Sequence, residues 1–183
     1  YNIKVNQGIL TKNKDEARAA AEKIGYPVAA KIAAPDILHK TEVDGVQLDL
    51  KNPEEVALAF DQINQKVKAI LPETRIEGIL IERMCSKRHE LLIGAKRDEV
   101  FGPLIVFGMG GIAVEIFKDQ NAGIPPLNMA LARHLIQETK IYSLLKGYRK
   151  LPPVQIRDLL FLLYRFAYLV MDFPQILEID INP

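Results

Sequence analysis

The chain has 183 residues, 49% of them hydrophobic and 26% charged, a balance that fits a globular protein with a sizeable core in one domain or two small lobes. Its formal net charge of +1 gives no bulk attraction to nucleic acid or to an acidic membrane surface. The single cysteine, Cys85, excludes an internal disulfide framework and any CxxC metal site, and makes a reducing cytoplasm the expected location.

Residues 1–10 lack an apolar core behind a basic start, so no secretory signal is expected. The uncharged run 100–114 is punctuated by Gly102, Pro103, Gly108, Gly110 and Gly111, and the run 159–171 is interrupted by Arg165. Neither reads as a membrane span. The chain opens without methionine and closes on Ile181-Asn182-Pro183, which reads as a piece of a longer polypeptide.

In chain order, residues 13–24 predict a helix. Asn13 can cap it, Asp15 and Glu16 suit its first turn, and Ala17, Ala20, Ala21 and Ile24 line one face. Gly25 ends it and Pro27 prevents its continuation. Residues 28–32 form a buried strand, and Val46, Leu48 and Leu50 alternate with Gln47 and Asp49 in a half-buried one. Asn52-Pro53-Glu54-Glu55 then starts a second helix with a cap, a proline in the first turn and an acid three residues after the cap. Val56, Phe60, Ile63, Val67 and Ile70 follow at helical spacing. Strands are expected over 76–82, 90–96, 104–107 and 112–117, and a loop over 123–127. Helices fit 129–146 and 154–171, and a last strand fits 176–181. This order favours an α+β sandwich over a regular parallel sheet.

Four stretches carry chemistry. Lys31 lies inside an apolar strand, where an unpaired ammonium is costly, so it needs an anionic partner, either an internal carboxylate or a ligand phosphate. His39 follows Pro35-Asp36 on a loop. A loop histidine is usually structural or merely exposed, yet a neutral imidazole can attack phosphorus and carry the group covalently. His89 and His134 show no partner pattern, and three scattered histidines make no zinc site.

The turn Phe107-Gly108-Met109-Gly110-Gly111-Ile112-Ala113 matches G-x-G-x-x-A. Ile112, Val114 and Ile116 continue it with strand periodicity rather than the helix that a dinucleotide fingerprint needs. It reads as a hairpin turn, or as a loop whose amides approach phosphates. On the terminal strand Glu178, Asp180 and Asn182 share one face, with neighbours about 6.6 Å apart. Adjacent members can share a Mg²⁺ with a coordination radius of about 2.1 Å, and Asp180 with Asn182 is the better pair. A strand with one solvated face is the plainer account of the same pattern.

Taken together, GYPVAAKI, PDILHKTEVDGV, FGMGGIAVEIFKD, LLKGYR and EIDINP resemble the ATP-grasp domain of the NDP-forming (ADP-forming) acyl-CoA synthetases, over nearly the entire chain. The resemblance implies an ATP-grasp fold, with two α+β lobes of roughly residues 1–82 and 83–183 and ATP or ADP with Mg²⁺ between them. It implies that Lys31 contacts phosphates, that Glu82, Arg83 and Met84 frame the adenine, and that Glu90, Gly110 and Gly111 lie by the nucleotide. Asp180 and Asn182 would hold Mg²⁺, and His39 would accept a phosphoryl group. The partners implied are CoA-binding and ligase domains, in cis or as another subunit, which handle the acyl-CoA; neither nucleic acid nor membrane is implied.

Two positions depart from the synthetase pattern: Asp44 stands where it has glycine, and Gly123 where it tends to have arginine. The run PPLN…LAR…ETK resembles a subgroup fused to a GNAT acetyltransferase domain. That similarity implies an alternative, a regulatory nucleotide- or acyl-CoA-sensing module of a lysine acetyltransferase.

Overall fold

A computed structural model of the chain describes residues 1–37, 40–85, 89–111 and 117–181. It divides into two units, Val5–Ser86 and Tyr1–Lys4 with Lys87–Pro183. The first holds β1 (Gly8–Thr11), α1 (Lys14–Ile24), β2 (Val28–Ala33), β3 (Val46–Leu50), α2 (Pro53–Ile70) and β4 (Gly78–Arg83). Its sheet runs β1-β4-β2-β3, with every neighbouring pair antiparallel.

Both helices begin on the same local device. Asn13 accepts from Glu16 N at 2.9 Å, while the Glu16 carboxylate accepts from Lys12 N at 2.7 Å. Asn52, Glu55 and Lys51 N repeat this at 2.9 and 2.7 Å. Each helix thus satisfies amides that its first turn would leave unpaired. Ala17, Ala20, Ala21 and Ile24 of α1, with Val56, Ile63 and Val67 of α2, pack on Val28, Ala30, Ile32, Ile79 and Ile81 of the sheet. Strand alternation then turns Ala29, Lys31, Leu80 and Glu82 to the face away from the helices.

The second unit holds β5 (Leu91–Asp98), β6 (Gly102–Met109), β7 (Gln120–Gly123), α3 (Met129–Gln137), α4 (Tyr142–Leu145), α5 (Ile156–Asp172) and β8 (Glu178–Ile181). Its antiparallel sheet runs β7-β6-β5-β8. Ile93, Ala95, Ile105 and Phe107 face Leu135, Leu160, Leu163 and Phe166 of the helices. By alternation Leu92, Gly94, Lys96, Val106, Glu178 and Asp180 share the other face.

Several expectations are corrected. Strands β1 and β7 were not foreseen, because four residues give too short a pattern to read. The helix expected over 129–146 breaks after Gln137. The buried Asp119 carboxylate accepts from Lys140 N at 2.6 Å and Ile141 N at 2.7 Å, drawing those amides away from a continuous helix. The strand expected over 112–117 falls on residues 112–116, outside those described, and Phe117 has helical backbone.

Strand β3 does not alternate as expected either. Its pairing with β2 slips between Val28↔Leu50 and Ala30↔Gln47, and Asp49 takes a left-handed φ of 60°. This bulge reverses the faces. Gln47 points to the helices and bonds Gln62 at 2.8 Å, whereas Leu48 is 48% exposed.

Candidate functional site

Lys31 on β2 lies opposite Leu80 of β4, and Glu82 is the diagonal neighbour, opposite Ala29. Lys31 Nζ and Glu82 Oε2 form an ion pair at 2.6 Å, with side chains 25% and 16% exposed. The anionic partner that the sequence demanded is therefore an internal carboxylate. Glu82, expected only beside the adenine, also holds the lysine. Gly8 of β1 lies opposite Glu82, and a β-carbon there would stand 3.1 Å from Glu82 Cγ. The carboxylate is thus confined on one side by backbone and on the other by the ammonium. Such a pair keeps a cation extended over an open sheet face, where a phosphate can compete for it.

Arg83, the last residue of β4, and Met84 beyond it have their backbones engaged. Arg83 N donates to Gln7 O at 3.2 Å, and Asn6 Nδ2 donates to Arg83 O at 2.6 Å. Met84 N donates to Pro27 O at 3.1 Å. These bonds fix the path of the segment expected to frame a planar base, and they occupy both amides, so a base there would be read by other groups.

In the second unit the glycine turn is a close-packing device. A side chain on Gly108 would collide with the Asp119 carbonyl oxygen, and one on Gly110 would stand 2.8 Å from the Leu91 carbonyl carbon. Gly111 has a φ of 68°, and a β-carbon there would collide with the Glu90 carboxylate. Gly110 N donates to Glu90 O at 2.8 Å. The structure thus brings Glu90, Gly110 and Gly111 together. These close approaches account for the glycines as packing residues of the turn, and the helix that a dinucleotide fingerprint needs would fall on residues 112–116, outside those described.

Asp180 lies opposite Gly94, and Glu178 opposite Lys96. That cation makes Glu178 the poorer metal ligand of the two. Among the described residues no three His, Cys, Asp or Glu side chains gather into a metal cage. Mg²⁺ at phosphates needs only one or two carboxylates beside water and phosphate oxygens, and the hard oxygens of Asp180 on an open strand face fit that requirement. His39 and Asn182 lie outside the described residues. A shallow groove of about 220 Å³, lined by Ile124, Leu127, Leu131 and His134 among others, contains none of the expected site residues. No described helix is long and apolar enough to cross a membrane.

Sequence reasoning missed two contributors. Asp119 ties the glycine turn to the junction between α3 and α4, since its carbonyl accepts from Met109 N at 2.8 Å while its side chain accepts from the amides of Lys140 and Ile141. Gly94 carries no turn signature, and only the strand register places it beside Asp180. The glycine-for-aspartate departure at Asp44 gains a physical account. Asp44 adopts a φ of 52°, a conformation that glycine takes freely and aspartate tolerates, and its carboxylate pairs with Lys66 at 3.1 Å.

The family model for the ATP-grasp domain matches residues 1–183. The chain is 42% identical over 183 residues to acetate–CoA ligase [ADP-forming] I of Archaeoglobus fulgidus, covering all of this chain and 27% of that protein. It is 39% identical over 183 residues to the β subunit of acetate–CoA ligase [ADP-forming] I of Pyrococcus furiosus, covering all of this chain and 79% of the subunit. The chain thus spans about a quarter of one relative and most of the other.

Two solved structures of the dinucleotide-forming acetyl-coenzyme A synthetase 1 of Ca. Korarchaeum cryptofilum share the fold. One, in complex with coenzyme A, Ca-AMPCP and HgCl+, has a TM-score of 0.94 and 38% identity over 98% of this chain and 78% of that one. The other holds coenzyme A and Mg-AMPPCP, with a phosphohistidine segment pointing towards its nucleotide-binding site. Its TM-score is 0.83 at 34% identity, over 100% of this chain and 78% of that one. With its two antiparallel sheets and its match over every residue, the chain belongs to the ATP-grasp domain family, in the form carried by ADP-forming acetate–CoA ligases.

Proposed function

We propose that this chain is the nucleotide-binding part of an ADP-forming acyl-CoA synthetase, in which a phosphoryl group passes between nucleotide and His39. The observation that carries the reading is the Lys31–Glu82 ion pair, a cation held at 2.6 Å on a helix-free sheet face. Lys31 neutralises phosphate oxygens as charge shifts between them, and Glu82 keeps the ammonium extended between turnovers. Glu82, Arg83 and Met84 frame the adenine, and Glu90 with Gly110 and Gly111 borders the nucleotide.

Asp180 and Asn182 would hold the divalent cation, which as Mg²⁺ would neutralise phosphate charge. His39 attacks the terminal phosphorus of ATP; its bond to the bridging oxygen breaks, and ADP leaves. Partner domains, in cis or as another subunit, then exchange the group between phosphohistidine and acyl phosphate. The net reaction is acyl-CoA + ADP + phosphate ⇌ carboxylic acid + CoA + ATP. The cytoplasm is the proposed location, with no nucleic acid or membrane partner. The matched relatives are ligases, which favours this reading over a regulatory module of an acetyltransferase.

The test is phosphoryl transfer in the full-length protein with its CoA-binding partner, incubated with γ-labelled ATP and Mg²⁺. Acid-labile label that vanishes in His39→Ala supports the proposal. Nucleotide binding without any label on wild-type protein defeats the catalytic reading.

A further inference from the structure

Gly94 sits in the middle of β5, itself an inner strand of its sheet, between Val106 on β6 and Asp180 on β8. A glycine in a strand interior weakens the strand, so it calls for a reason. Other glycines have theirs inside the fold: Gly78 and Gly108 have a carbonyl oxygen where a side chain would stand, and Gly111 has the Glu90 carboxylate. Gly94 has none of these. Among the described residues, the only heavy atoms within 4 Å of an added β-carbon are Ile179 O at 3.5 Å and Asp180 Cβ at 3.7 Å, both ordinary contacts. Nor does its backbone take the left-handed conformation that favours glycine, unlike that of Gly102 or Gly111. The described residues leave room for alanine here.

Gly94 is itself buried, and its missing side chain leaves space on the helix-free face between its strand partners Val106 and Asp180. We propose that Gly94 is a clearance residue: its bare backbone keeps open the volume in which a hydrated divalent cation and its phosphate oxygens approach Asp180. This deepens the nucleotide-binding reading above and rests on it. A cation carrying water ligands needs far more room beside its carboxylate than the carboxylate itself. A methyl group 3.7 Å from Asp180 Cβ would occupy part of that shell without touching the sheet's own packing.

The experiment compares wild type, Gly94→Ala and Gly94→Val in the full-length protein with its partner. Titration calorimetry with MgADP and with metal-free ADP is paired with thermal unfolding in the absence of ligand. The expected result is an unfolding midpoint equal to or above wild type for both variants, since alanine and valine suit a strand better. MgADP affinity should fall at least tenfold for alanine and further for valine, with metal-free ADP affected less. Wild-type MgADP binding retained in Gly94→Ala overturns the clearance role. A lowered midpoint for Gly94→Ala overturns it too, by showing a packing demand. If wild type binds no MgADP, the nucleotide-binding reading itself fails, and the inference falls with it.

Discussion

Lys31 and Glu82 occupy adjacent strands one diagonal step apart, and their charged groups meet at 2.6 Å on the sheet face away from the helices. Both are more buried than a typical surface pair, so the lysine is held in one place before any ligand arrives. Lys31→Met is expected to lower MgADP affinity about 10- to 100-fold, the loss of one charge-assisted hydrogen bond of roughly 1.5–3 kcal/mol. Unfolding in urea reports separately the cost of leaving the Glu82 carboxylate without its partner. Calorimetric titration beside the unfolding curve separates the two effects, and unchanged affinity would remove Lys31 from the site.

Gly102 and Gly111 offer a controlled comparison, because both have positive φ, 73° and 68°. Nothing among the described residues lies within 4 Å of a side chain on Gly102, whereas one on Gly111 meets the Glu90 carboxylate. Gly102→Ala is expected to cost about 1 kcal/mol from the backbone alone. Gly111→Ala should cost about 2–3 kcal/mol, because the carboxylate must also move. Urea denaturation of the pair measures the difference.

Asp119 is the buried carboxylate that holds the junction between α3 and α4. Asp119→Ala leaves the amides of Lys140 and Ile141 without their acceptor, at about 1–3 kcal/mol for each buried donor left unpaired. A loss near 3 kcal/mol in unfolding free energy is expected. Hydrogen exchange at Lys140 and Ile141 should speed up in the variant while that of β5 is less affected.

Asp98 predicts a specific acid response. Its carboxylate accepts from Phe101 N and Val100 N, at 2.9 and 2.8 Å, and these bonds hold its pKa below the ordinary aspartate value. A lowered folded-state pKa means the contribution is present above the unfolded value of about 3.9 and is lost as pH falls through the folded one. Carboxyl-carbon NMR should find Asp98 titrating below the other exposed aspartates, and Asp98→Asn should flatten that part of the acid unfolding profile.

Asp44→Gly should be close to neutral. It relieves a non-glycine φ of 52° and removes an exposed ion pair with Lys66, two effects of about 1 kcal/mol or less and of opposite sign. An unfolding midpoint and a phosphorylation rate both near wild type would show that the aspartate is a conformational stand-in for glycine. A large rise in labelling would give it a restraining role.

The helix starts were legible because cap, proline and acid sit within four residues of each other at Asn52, and cap and acid at Asn13. The buried strands β2 and β4 were legible from unbroken apolar runs, and Lys31 stood out because its neighbours could not tolerate a lone charge. Partnerships across strands were not legible. The Lys31–Glu82 bond depends on a register that links residues 51 positions apart, and no local pattern encodes it. Gly94 was invisible for the same reason: its meaning comes from Asp180, which pairing alone brings opposite. The break after Gln137 escaped because its cause, Asp119, lies well upstream in sequence.

The slip in β3 has a consequence for the segment before it. Odd and even positions exchange faces at Asp49, so residues 46–48 are set one step out of phase with Leu50. Deleting Asp49 would straighten the strand without moving its flanks: Leu50 would stay opposite Val28, Leu48 alone would lie opposite Ala29, and Gln47 would stay opposite Ala30 beneath α2. The turn at Lys40–Gly45, anchored through Gly45 O to Ile32 N at 2.7 Å, would therefore keep its place. The bulge thus holds one spare residue between two fixed pairings, and its loss would be absorbed where it sits.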